Sequence, residues 1–202
     1  MNQYDVTTIT VRPAKQTQAL AVLEKHFGRD SGLLACWYCE IGALNRILLI
    51  RRAGDVSSIL AQRQSVLSLE NPLGLAELVT EMSMDVFASF DFLPPIEPGT
   101  LGPCYEVRTY TLKPNGLKVT EELWRKAIPG RMKISPVLTA MTSLTGPVIR
   151  FIHIWPYKSL DERGRLRSKA IAEGVWPPPG GPDFIATQQT DIYLPAEWSP
   201  LR

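Results

Sequence analysis

Only two histidines and three cysteines occur in the 202 residues. Neither a protein-built metal cage nor a disulfide framework is therefore expected, and the odd cysteine count fits a reducing compartment. Cys36-Trp37-Tyr38-Cys39 has the CxxC spacing, but on a strand residues three apart face opposite ways, and no second cysteine pair exists to complete four ligands. No apolar run approaches the roughly 20 residues that span a bilayer. The longest candidate, near Ile47 to Ile50, stops at Arg51 and Arg52, so no integral membrane segment is expected. Charge of one sign is also scarce. Twenty-two Lys and Arg face 20 Asp and Glu, a net +2, too little for a nucleic-acid footprint. There is no Gly-rich phosphate loop, no Gly-x-Ser-x-Gly elbow and no His-Glu-x-x-His helix. Nothing ahead of Tyr4 reads as a basic leader with an apolar segment, and a cytoplasmic location is the expectation. No cofactor is expected.

What the chain has is an echo. Tyr4-Asp5-Val6-Thr7-Thr8-Ile9-Thr10-Val11-Arg12-Pro13 returns, shifted by 101 residues (4 to 105), as Tyr105-Glu106-Val107-Arg108-Thr109-Tyr110-Thr111-Leu112-Lys113-Pro114. Ser31, Leu34, Gly42, Arg46, Ile50 and Arg63 return as Ser135, Leu138, Gly146, Arg150, Ile154 and Arg167, now shifted by 104 (31 to 135). Two ordered windows identify a duplicated unit. With 45% hydrophobic and 21% charged residues the chain reads as an ordinary folded protein.

Each copy opens on a β-branched strand, then a helix. In the second copy the helix runs from Leu117 to Ile128, with Val119, Leu123, Ala127 and Trp124 on one face, and is expected to stop at Pro129-Gly130. Leu20, Leu23 and Phe27 make the matching face in the first. Two strands follow around a glycine turn, 33–40 with 45–52 and 137–143 with 148–155, the turns marked by Gly42 and Gly146. A second helix, N-capped by Asp55 or Ser159, and a last strand, 83–92 or 186–194, complete each copy. The order is that of a split βαβ, or ferredoxin-like, unit. The expected class is α+β, with two such units, 1–93 and 104–202, joined by a stiff Pro/Gly linker at 94–103. The run from Trp176 to Pro182 must be a loop, since its prolines lack amide donors; it reads either as a lid over a pocket or as a packed structural loop.

Strand alternation puts Phe151, His153 and Trp155 on one face of their strand and Glu106, Arg108 and Tyr110 on one face of a neighbouring one. The first copy has Leu49 and Arg51 where the second has His153 and Trp155, and Asp5, Thr7 and Ile9 for Glu106, Arg108 and Tyr110, so a site on these residues belongs to the second half alone. Conversely Trp37 survives where the second copy has Met141, which raises a composite pocket across the pseudo-twofold. The catalytic reading takes His153 as acid/base with Arg108 or Tyr110 orienting a substrate, and Glu106, Trp155, Phe151 and Trp37 as ligand contacts. The plainer reading makes His153 a core histidine satisfied by one hydrogen bond and Glu106–Arg108 a structural ion pair. Arg163, Arg165, Arg167 and Lys169 read as a solvated helix face.

The second half resembles the NIPSNAP family through Tyr105 to Pro114, Lys126-Ala127-Ile128-Pro129-Gly130-Arg131, His153-Ile154-Trp155, Tyr157-Lys158-Ser159-Leu160-Asp161-Glu162-Arg163 and Trp198-Ser199-Pro200-Leu201. The first half resembles a decayed copy, with Trp37-Tyr38-Cys39-Glu40-Ile41-Gly42-Ala43-Leu44-Asn45. That family is similar to the dimeric α+β barrel superfamily, and the resemblance implies that the joined sheets close a barrel within one chain. It implies no single reaction, because the superfamily spans cofactor-independent monooxygenases, haem-handling enzymes, isomerases, lyases and non-catalytic members. The expected function is binding of a small apolar or aromatic molecule in the second half, as a cofactor-independent enzyme in the fuller form. The alternatives are a non-catalytic interaction protein with a solid barrel, and a haem-binding protein. Further self-association into a homo-oligomer is also expected.

Overall fold

The computed structural model describes residues 1–27, 32–147 and 149–202. Ser31 of the second echo and Val148, the expected start of a strand, lie outside the described residues. The first half contributes β1 (Gln3–Val11), α1 (Gln16–Phe27), β2 (Leu33–Ile41), β3 (Arg46–Arg52), α2 (Val56–Leu67) and β4 (Val79–Ser89). The second contributes β5 (Cys104–Leu112), α3 (Gly116–Met132), β6 (Thr139–Ser143), β7 (Arg150–Tyr157), α4 (Leu160–Ala172) and β8 (Ile185–Pro195). The strands close in the order β1-β3-β2-β8-β5-β7-β6-β4, every pairing antiparallel. Two seams, β2 on β8 and β4 on β6, join the halves. The barrel inferred from the family resemblance is thus formed within one chain.

Period-2 alternation divides the strands' side chains between two environments. Val6, Leu48, Val107, Ile152 and Tyr193 point into the barrel, whereas Ile9, Leu49, Tyr110, Phe151 and Trp155 lie in clusters between the sheet and the helices. The lumen is closed at one end. Trp37 stacks on Tyr105 there, ring centroids 4.1 Å apart, with Ile96 and Leu201 buried beside them. The Tyr4 hydroxyl accepts from the Ile96 amide at 2.8 Å, and Trp37 Nε1 donates to the Leu201 carbonyl at 2.9 Å. The proline-rich segment and the last residues also pair with each other, Leu101 N to Arg202 O at 2.7 Å and Arg202 N to Gly99 O at 2.9 Å. What reads in the sequence as a linker is the floor of a cup.

The hairpin turns cross between halves. Asp191 of β8 accepts from the Ala43 amide at 3.0 Å in the first half's turn. Asp85 of β4 accepts from the Thr145 hydroxyl at 3.2 Å in the second half's turn. Gly42 and Gly146 adopt φ of +118° and +74°, and a Cβ on either would collide with that aspartate's carboxylate.

Both expected N-caps form: Asp55 accepts from Ser58 N and Ser159 from Glu162 N. Two helix expectations need correction. α3 does not stop at Pro129 but runs through it to Met132, and its buried face is Thr120, Trp124, Ile128 and Arg131 rather than Val119, Leu123 and Ala127. The two stripes are adjacent, and the packing of Trp124 selects one. Arg131 carries the helix beyond the proline, since it is buried, hydrogen-bonds Ser135 and lies 4.6 Å from the Trp155 ring centroid. Tertiary anchoring here outweighs the missing helical hydrogen bond.

Candidate functional site

β5 and β7 lie side by side with Arg108 opposite His153, Tyr110 opposite Phe151 and Glu106 opposite Trp155. Strand parity turns all six toward α3 and α4. A recess of about 160 Å³ lies above them, lined by Arg108, Tyr110, Phe151 and His153 from the sheet, Thr120, Leu123 and Trp124 from α3, Arg167 and Ile171 from α4, and Trp176, Pro177 and Pro178 from the loop. It is smaller than the usual few hundred cubic ångströms of a ligand pocket and matches a single aromatic ring. A macrocycle the size of haem does not fit this space.

Aromatic edges build the walls. Trp124 meets His153 at 4.8 Å, Phe151 at 5.1 Å and Trp176 at 4.7 Å between centroids, and Tyr110 meets His153 edge-on at 4.9 Å. His153 itself is 2% exposed. Trp155 Nε1–H donates to its Nδ1 at 2.6 Å. Because indole nitrogen only donates, this bond places the imidazole proton on Nε2. Burial, reinforced by the positive charges of Arg108 and Arg167, holds its pKa well below the usual histidine range. The side chain is therefore a neutral donor, and among the described residues its Nε2 has no hydrogen-bond partner; neither do Thr120 Oγ1 and Arg108 Nε. Tyr110 stays protonated, its pKa raised by burial against a smaller opposing effect of Arg108.

Glu106 stands behind the recess. It is fully buried and takes Arg163 at 2.6 Å, with Arg108 and Arg167 each at 3.6 Å. The first half keeps the same device: Asp5 pairs with Arg63 at 3.3 Å and Arg51 at 3.7 Å. That half has no histidine at this position, its outer face being filled by Ile9, Ile47, Leu49, Leu23 and Leu73. A pairing retained without the recess is architectural, fastening the second helix of each half to the sheet.

Of the residues singled out from sequence, His153, Arg108, Tyr110 and Phe151 line the recess. Trp155 supports His153 from behind, and Glu106 supports the arginines. Trp37 is not brought to it, because the parity of β2 sends Trp37 into the barrel, where it stacks on Tyr105; no composite pocket forms through it. Cys36 and Cys39 fall in separate clusters on opposite faces of β2 and are free thiols. The basic helix face divides: Arg165 and Lys169 are exposed, but Arg163 and Arg167 turn inward. Thr120 was invisible in the sequence, where a lone threonine on a helix carries no signal. Among the described residues no group of three His, Cys, Asp or Glu is placed to hold a metal, and no helix is long and apolar enough to cross a membrane.

A family model described as NIPSNAP matches residues 105–200. The Protein NipSnap of Drosophila melanogaster is 24% identical over 217 residues, covering 98% of this chain and 78% of its own. The Protein NipSnap homolog of Dictyostelium discoideum is 24% identical over 177 residues, covering 86% and 77%. Among solved structures, an anthrone oxidase-like protein superposes on 97% of this chain and 92% of its own with a TM-score of 0.66 at 12% identity, a likeness of fold.

Proposed function

Since residues 105–200 of this chain form a NIPSNAP domain, we propose that the domain's work is done in the recess, which takes one small aromatic ring carrying an oxygen. The observation that carries the reading is His153: a buried imidazole fixed by Trp155 with a spare Nε2–H beside aromatic walls. Such a donor answers a carbonyl, phenol or enolate oxygen. Thr120 Oγ1 and Arg108 Nε supply the remaining polar contacts, and the edges of Trp124 and Phe151 hold the ring.

The tautomer narrows the chemistry. With Nδ1 occupied and the proton on Nε2, His153 offers no lone pair to a substrate, so its contribution is stabilisation of developing negative charge on the ligand oxygen. Arg108 and Arg167 add positive charge at the same place. A cofactor-independent reaction through a resonance-stabilised anion is the activity this set of groups serves best.

Thermal unfolding with phenol, 4-hydroxybenzaldehyde and toluene tests the reading. The oxygenated rings should raise the Tm of the wild type, by the equivalent of about 2.7 kcal/mol at a hundredfold excess over Kd. His153→Phe should abolish the advantage of phenol over toluene. Equal responses to all three rings, or no response to any, would remove the proposal.

A further inference from the structure

A second and larger cavity, about 560 Å³, opens inside the barrel at the end opposite the Trp37–Tyr105 floor, and both halves line it. Its depth is apolar: Val6, Leu48, Phe87, Val107, Ile152 and Tyr193 are buried there. Above them runs a polar collar. The repeat sets matched residues around it, Thr8 with Thr109, Arg46 with Arg150 and Asp85 with Asp191. Both copies keep this collar although one has lost the recess on its outer face.

The two arginines are equivalent by the repeat but not by their partners. Arg150 Nη2 meets Asp85 Oδ2 at 2.7 Å and donates to the Thr145 carbonyl at 3.1 Å. Asp85 is also held by Ser83 and Thr145, at 3.0 and 3.2 Å. Arg46 has no carboxylate anchor of this kind and is set against the Tyr193 hydroxyl. Asp191 is instead engaged through Oδ1 by the Ala43 amide and Gln189 Nε2, at 3.0 and 2.8 Å. Among the described residues no carboxylate lies within 4 Å of Arg46, and its Nε, like that of Arg150, is buried without a hydrogen-bond partner. A half-buried guanidinium that faces a cavity and meets the Tyr193 hydroxyl but no carboxylate is suited to a planar two-oxygen acceptor.

We propose that the barrel lumen is a second binding site, which takes a small organic carboxylate with its hydrocarbon body in the apolar depth and its carboxylate on Arg46. An eight-stranded barrel has an interior of the size that holds one small ligand. The surrounding charge selects the head group. Asp85, Asp191 and Glu81 all border the cavity, so a dianion such as a phosphate monoester is repelled, while a single carboxylate needs only the one guanidinium without a carboxylate partner. The site does not depend on the recess, since β5 and β7 stand between them.

Titration calorimetry with hexanoate and hexan-1-ol tests this, alongside the side-chain Nε–H resonance of Arg46 in NMR spectra. Hexanoate should bind saturably, hexan-1-ol at least about tenfold more weakly, and Arg46→Gln should weaken hexanoate at least about tenfold. His153→Phe should leave hexanoate binding unchanged. Binding insensitive to Arg46→Gln, binding lost in His153→Phe, or no saturable binding at millimolar hexanoate would each overturn the proposal. Should Arg46→Gln fail to fold, the wild-type resonance decides: a shift on adding hexanoate supports the site, and a fixed signal overturns it.

Discussion

His153 links local geometry to solution behaviour. Its folded-state pKa is depressed below that of the unfolded chain, so as pH falls the unfolded chain takes up a proton that the native protein refuses. Stability from this group is complete above about pH 6.5 and declines below it, by up to about 1.4 kcal/mol per pH unit. Denaturant unfolding of the wild type should weaken between about pH 7 and pH 5, and His153→Phe should flatten that decline. Glu106 gives a second test. Glu106→Gln leaves Arg163, Arg108 and Arg167 crowded without their shared counter-charge, and should lose about 3–5 kcal/mol in urea unfolding. The sequence disclosed His153, Arg108, Tyr110 and Phe151 because alternation on a strand has only two phases. It did not disclose Arg163 and Arg167, because a run of basic residues on a helix reads as solvated until the buried carboxylate opposite is known.

At the scale of elements, the turns and α3 carry the tests. Gly42→Ala and Gly146→Ala each drive a methyl into the aspartate that clasps the turn and force a side chain into positive φ. Each should destabilise by about 2 kcal/mol or more, the strain being larger than the ordinary gain from replacing glycine. Pro129→Ala should act the other way. It restores a donor within α3, and a rise of about 1–3 kcal/mol is expected, the spread reflecting how far Arg131 already anchors the last turn. The strand and helix order was legible from period and punctuation. The extent of α3 was not: Pro129-Gly130 is a sound local stop signal, and only the burial of Arg131 against Trp155 explains why the helix ignores it.

For the whole molecule, the seams matter most. Residues 104–202 expressed alone would leave β6 and β8 without their partners β4 and β2. Exposed edges of this kind recruit another chain, so the isolated half should sediment as a homodimer carrying two His153 recesses; a stable monomer would count against the reading of the chain as a fused pair. The closed barrel was reachable from the echo and the family resemblance, but its closed end was not. Nothing in a run of prolines announces that it will pair with the C-terminal residues and seal one end of a lumen, because that pairing is set by the barrel's curvature rather than by local pattern.

The filled outer face of the first half has a consequence for inheritance. A homodimer must accept every substitution twice, so a change that improves packing on one sheet also erases the chemistry on the other. Fusion lifts that coupling. Here one copy is packed solid on its outer face, with Leu49 and Ile9 where its twin holds His153 and Tyr110, so the twin's recess can change without unsettling its neighbour.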